Sequence, residues 1–199
     1  MPRSDSRNSG EWAKFFAALL LAGFVFAWAT IPVTVLEATW QAERRQMSAW
    51  VGEGAETWLA AQSTASVHAV AHDASQTAGK FTGSTLERWL TDRLCVSLLW
   101  TRLMVYRALG FLLWGLLGMP LLLATFADGL LVREIRKTAF VSQSPIRHKV
   151  GVHSLRLIGI GMLFWLCAPW PMPLGVAPAA VMFVAVALWL WLGHLQKRL

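Results

Sequence analysis

Asp128–Lys149 reads DGLLVREIRKTAFVSQSPIRHK, a basic polar island between two long apolar runs, and its reading decides the fold. Before it lies ALGFLLWGLLGMPLLLATFA (108–127), and after it the chain from Leu157 to Gly193 is apolar again. About twenty apolar residues in a helix cross roughly 30 Å of hydrocarbon. The first run therefore predicts a transmembrane helix over 108–127, kinked at Pro120 and open to close helix approach at Gly115 and Gly118. The second run exceeds one crossing and carries Pro169, Pro171, Pro173 and Pro178. It predicts a helical hairpin with spans over 154–170 and 174–193, the earlier one short enough to thin the bilayer, with Gly159 and Gly161 as packing points. Within the island, Asp128-Gly129 reads as a helix stop, the glycine being free to adopt positive φ.

Composition agrees with a polytopic membrane protein. The chain of 199 residues is 56% hydrophobic and 15% charged yet carries a formal net charge of +7. Twelve tryptophans against one tyrosine suit an interfacial belt, where an apolar ring keeps its N–H in reach of water. The bases are spread over several segments rather than gathered on one face, which argues against direct nucleic-acid readout. Cys95 and Cys167 lie in separate apolar contexts and suggest neither a disulfide framework nor a zinc site.

Upstream, a short polar tail (1–14) leads into FFAALLLAGFVFAWATIPVTVL (15–36), an uncharged run that predicts span one, bent near Pro32. A signal peptide cleaved after Ala27-Trp28-Ala29 is the competing reading, disfavoured because apolar sequence continues to Leu36 and the leader holds two acids. Residues 37–107 predict a helical segment running into span two. In it Trp40, Met47, Val51 and Trp58 form a stripe interrupted by Gly52 and Gly54, the mark of an amphipathic helix lying on a membrane or a partner. An Ala-rich helix over 59–75 and a GKFTGS loop (79–84) follow. Ser84-Thr-Leu-Glu87 is a capping box, and Arg102 and Arg107 are placed to snorkel toward headgroups.

Charge decides the orientation, because bases near span ends stay in the cytoplasm. Arg133, Arg136, Lys137, Arg147, Lys149 and Arg156 face only Asp128 and Glu134, whereas between Glu37 and Arg93 five bases face seven acids. The predicted architecture is all-α: four transmembrane helices, a helical extracytoplasmic segment between spans one and two, a basic cytoplasmic loop over 128–153, and both termini cytoplasmic, the second over 194–199.

No catalytic motif is legible, and a non-enzymatic protein without cofactors is expected. His68 and His72 share a helical face with Asp73 nearby, but a catalytic zinc normally takes three protein ligands and a third at suitable spacing is missing. A metal-dependent membrane enzyme built on those three residues is the alternative from another class. The expected spans lack ionisable groups away from their ends, which argues against a transporter. The island itself would attract anionic lipid at about 1 kcal/mol per base, or dock a partner.

The stretch Phe126-Ala-Asp-Gly-Leu-Leu-Val-Arg-Glu-Ile-Arg-Lys137, followed by His148 and two more spans, resembles a family of small bacterial membrane proteins of integrating conjugative elements. Asp128, Gly129, Arg133, Glu134, Arg136 and His148 carry the resemblance. Gln143-Ser144 and Arg147-His148 stand where that family has Glu-Ser and Tyr-His. The resemblance implies an inner-membrane accessory subunit of conjugative type IV secretion, beside the coupling ATPase, with no catalytic activity. Those six residues, with Lys137 beside them, would then meet a partner or anionic lipid. A lipid-binding membrane scaffold is a third reading.

Overall fold

A computed structural model describes residues 5–78, 85–138 and 145–193. Among them are seven helices and no strand: α1 (Asp5–Thr30), α2 (Val33–Val51), α3 (Glu53–Ala78), α4 (Thr85–Leu117), α5 (Met119–Thr138), α6 (Pro145–Cys167) and α7 (Val176–Gly193). The GKFTGS loop, Ser84 of the capping box, Gln143-Ser144 and residues 194–199 lie outside the described residues.

Three helical segments are long and apolar enough to cross a membrane, over Glu87–Leu117, Lys149–Cys167 and Val176–Gly193. The count rises to four if the α1–α2 pair is one broken span, and that pair bends by 101°. Pro32 causes the break. It has no N–H to donate into α1, and its extended backbone starts α2 at Val33. Leu36, expected at the end of span one, is instead a core residue of α2, 1% exposed.

α4 is the organising element. Arg93, Val96, Trp100, Leu103, Arg107 and Gly110 are all buried, a strict alternation of three and four residues that keeps one stripe turned inward. Around this stripe two apolar clusters form. Leu36, Val96, Trp100 and Leu103 make one; Met47, Leu59, Ala60, Tyr106 and Leu174 make the other. The predicted stripe of residues 40–58 is thus divided: Met47 joins the core, Leu59 replaces Trp58, and Trp58 stays 57% exposed. The segment expected to lie on a membrane or partner packs largely on the chain's own α4.

Gly52 ends α2 at φ 95° and ψ 160°, a region essentially restricted to glycine, while its N–H donates to Ser48 O at 3.1 Å. Nothing lies within 4 Å of where its Cβ would stand. Gly52→Ala therefore isolates backbone strain, and a loss of about 1–3 kcal/mol in thermal unfolding is expected.

α4 passes into α5 with helical bonding kept, Gly118 N donating to Trp114 O and Leu122 N to Gly118 O. α5 then runs through the expected stop. Asp128 and Gly129 are mid-helix, and among the described residues Gly52 is the one glycine at positive φ. The reading of Asp128-Gly129 as a helix end is corrected: glycine is needed there for closeness, since a Cβ would lie 3.0 Å from Leu192 Cβ. α6 likewise starts at Pro145, so the island is two helix ends joined by 139–144 rather than a loop over 128–153, and the third apolar helix is not short. Gly159 and Gly161 face open space. The close approach of α6 to α7 is at Gly151, against the backbone of Ala187 and Trp191.

Candidate functional site

Three prolines in the turn between α6 and α7 remove backbone donors and leave carbonyls that the turn cannot satisfy itself. The same is true of the last carbonyls of α6. The structure meets both needs with side chains from α2 and α4. Arg107 donates to Trp165 O (2.8 Å), Leu166 O (3.2 Å), Trp170 O (2.9 Å) and Ala168 O. Trp100 Nε1 donates to Cys167 O at 2.9 Å and Thr39 Oγ1 to Pro169 O at 3.2 Å. Six consecutive carbonyls are thereby bonded. The N–H groups of Met172 and Leu174 donate to Glu43 Oε1 (3.1 Å) and Gln46 Oε1 (3.0 Å).

At the centre is a buried ion pair. Arg107 Nε lies 3.1 and 3.0 Å from the two Glu43 oxygens, and its Nη2 bonds Oε1 as well. Arg107 is 2% and Glu43 5% exposed. Two charges removed from water survive only when hydrogen bonds fill their remaining capacity, and here the carbonyls and the Met172 N–H do so. A cation at the C-terminus of α6 also faces the negative end of its dipole. The expectation that Arg107 snorkels outward is corrected: the α6 terminus offers it acceptors inside the protein.

Arg93 repeats the device one level along α4. Its Nη1 donates to Trp28 O (2.7 Å) and Ile31 O (3.1 Å) at the end of α1, and Trp28 Nε1 reaches Ser97 Oγ at 2.9 Å. Among the described residues α1 meets the rest through α4. Arg44 is bonded to Glu56, with the second contact at 3.2 Å. Arg102 takes another course, stacking over Trp40 at 4.0 Å.

The residues singled out in the island are brought together only in part. Asp128 accepts from Trp189 Nε1, and Gly129 packs on Leu192, so this dipeptide joins α5 to α7. Arg133 is half-buried and Glu134 exposed on the same helix. Arg136, Lys137 and His148 have helical backbone, but their side chains lie outside the described residues. So do those of His72 and Asp73 on α3, while His68 is exposed. Among the described residues no group of three His, Cys, Asp or Glu could hold a metal.

Sequence reasoning missed Glu43, Arg93 and Arg107. The signal was present as the seven-residue spacing Arg93–Trp100–Arg107 together with a turn too rich in proline to satisfy itself.

The fold and the site define a class: an all-α protein with three or four helices able to span a bilayer, two of whose helix C-termini are capped by arginines of one long helix. The family model described as IncC plasmid conjugative DNA transfer protein DtrJ-like matches residues 16–196. The chain belongs to this DtrJ-like family of conjugative DNA-transfer proteins. Comparison with curated proteins and with solved structures gave no match.

Proposed function

We infer that the protein is a non-enzymatic inner-membrane subunit of a conjugative type IV secretion apparatus, whose basic end meets a cytosolic partner, the coupling ATPase, or anionic lipid. The observation that supports this reading is the separation of two unlike ends along one apolar bundle. Residues 187–193 of α7 meet α5 near Gly129 and α6 near Gly151, so the bases that end α5 and begin α6 share one end. The proline turn and the Glu43–Arg107 pair occupy the other, a length of α6 away, about 35 Å for its 23 residues. By the rule that bases are retained in the cytoplasm, the first end faces inward. DNA need not be touched directly; the protein's part is to hold membrane components in register.

Reversing charge in the triple variant Arg133→Glu, Arg136→Glu, Lys137→Glu is expected to lower DNA-transfer frequency at least tenfold and to abolish copurification of the coupling ATPase. Unchanged transfer and copurification would dispose of docking. Copurification that survives while salt-sensitive retention on anionic liposomes is lost would assign the bases to lipid instead.

A further inference from the structure

The covered positions of α5 between 121 and 135 are Leu122, Thr125, Gly129, Val132 and Arg133, and of these Gly129 and Val132 meet α7 at Leu192 and Gly193. A second stripe, Leu121, Ala124, Asp128, Leu131, Ile135 and Thr138, alternates steps of three and four residues and is exposed at every position. Leu131 and Ile135 are 62% and 64% exposed. That spacing makes a straight seam of the kind one helix offers another, and Ala124 leaves room for close approach. Asp128 is the one charge in the seam. Its Oδ2 accepts from the neutral indole of Trp189, and among the described residues no ion pair reaches it. The first base of α5, Arg133, follows by five residues, which turns it to the covered side.

No single medium suits this seam. In hydrocarbon the carboxylate lacks a counter-charge, whereas acids held in a membrane ordinarily pair or face a protein interior. In water Leu121, Leu131 and Ile135 leave an apolar strip open on both sides of Asp128, the mark of an interaction surface. A boundary set at Asp128 does not help, because Leu121 and Ile135 lie on opposite sides of it, each about 10 Å away along the axis. What satisfies the whole seam is a second helix, apolar along its length and carrying one base at the level of Asp128. A copy of this chain paired in parallel does not supply it: Asp128 would meet Asp128 of the second copy, and like charges repel.

We propose that α5 docks an apolar helix of a partner protein along Leu121–Thr138, with a lysine or arginine of that helix on Asp128. Trp189 holds Oδ2 and leaves Oδ1 to the incoming cation. This face is separate from the bases that end α5, so the assignment does not depend on what those bases meet. The test uses full-length protein in neutral detergent and a labelled synthetic helix of leucine and alanine with one central lysine, beside the same helix with leucine in its place. Energy transfer reads the binding. The lysine helix binds wild type about tenfold more tightly than the neutral helix, as one close charge pair warrants. Asp128→Asn removes that difference while its amide oxygen keeps Trp189, and Ala124→Trp, which fills the exposed seam, weakens the binding of both helices. The tryptophan variant decides the matter should Asp128→Asn fail to fold, and undiminished binding to it overturns the proposal. Equal binding of the two helices to wild type does so too, as does a lysine preference that survives Asp128→Asn. Wild-type dimers that Ala124→Trp breaks give the seam to a second copy and overturn it as well. Failure here leaves the transfer and copurification tests of the basic end untouched.

Discussion

Arg107→Ala lowers stability by about 3–5 kcal/mol, the usual consequence of leaving one member of a buried ion pair without the other. The variant strands Glu43, at 5% exposure, with the Met172 N–H as its remaining donor. It also strips donors from four carbonyls around the end of α6, of which those of Trp165 and Ala168 are buried acceptors left without a partner. Glu43→Gln costs less, because Arg107 then keeps those four carbonyls and the glutamine keeps an oxygen for Met172. Arg107→Lys falls between, since a lysine brings three donors where arginine brings five. Thermal unfolding in detergent reads the series, with a drop on the order of 10 °C for Arg107→Ala. A change within measurement error would show that the proline turn holds itself.

Gly151→Val separates α6 from α7 and costs about 1–3 kcal/mol or more, because the obstacles are backbone atoms. A Cβ at Gly151 would stand 3.0 Å from Trp191 N, 3.2 Å from Trp191 Cα and 3.2 Å from Ala187 O. None of these can rotate away, so a whole helix must move. Gly118 offers the contrast. Its Cβ would lie 2.5 Å from Val181 Cγ1, a side-chain atom, and adding Val181→Ala should recover much of the loss from Gly118→Ala. Gly159→Val stays within about 0.5 kcal/mol, as open surface positions do. Unfolding temperatures in the same detergent order the three, and Gly159 equalling Gly151 would contradict the packing described.

Much of the fold is legible because its signals are local. Apolar runs of sufficient length, Pro32, the interruption at Gly52 and the proline cluster after Cys167 each act on neighbours in the chain. The misreadings share one cause: they concern what a residue meets across the fold. Gly129 and Gly151 look like any glycine until α7 is laid against them, and Gly159 and Gly161 look like packing residues until nothing is found there. Arginine is rarely buried without a partner, so Arg107 read naturally as a snorkelling surface residue. Its partner Glu43 is 64 positions away and its carbonyl acceptors 58 to 63. No window along the chain contains both.

The Asp128–Lys149 island shows the same division. Sequence alone determined that a basic segment separates apolar helices, because charge and hydropathy are properties of the residues themselves. It also determined the kinship to conjugation proteins, which the family match over 16–196 bears out. Tertiary structure decided that the island is two helix ends, that Asp128 is held by Trp189, and that α4 carries the joints of the molecule. The physical reason is that a helix terminus exposes carbonyls whose partner must come from elsewhere. Which side chain answers depends on where the fold brings the helices together.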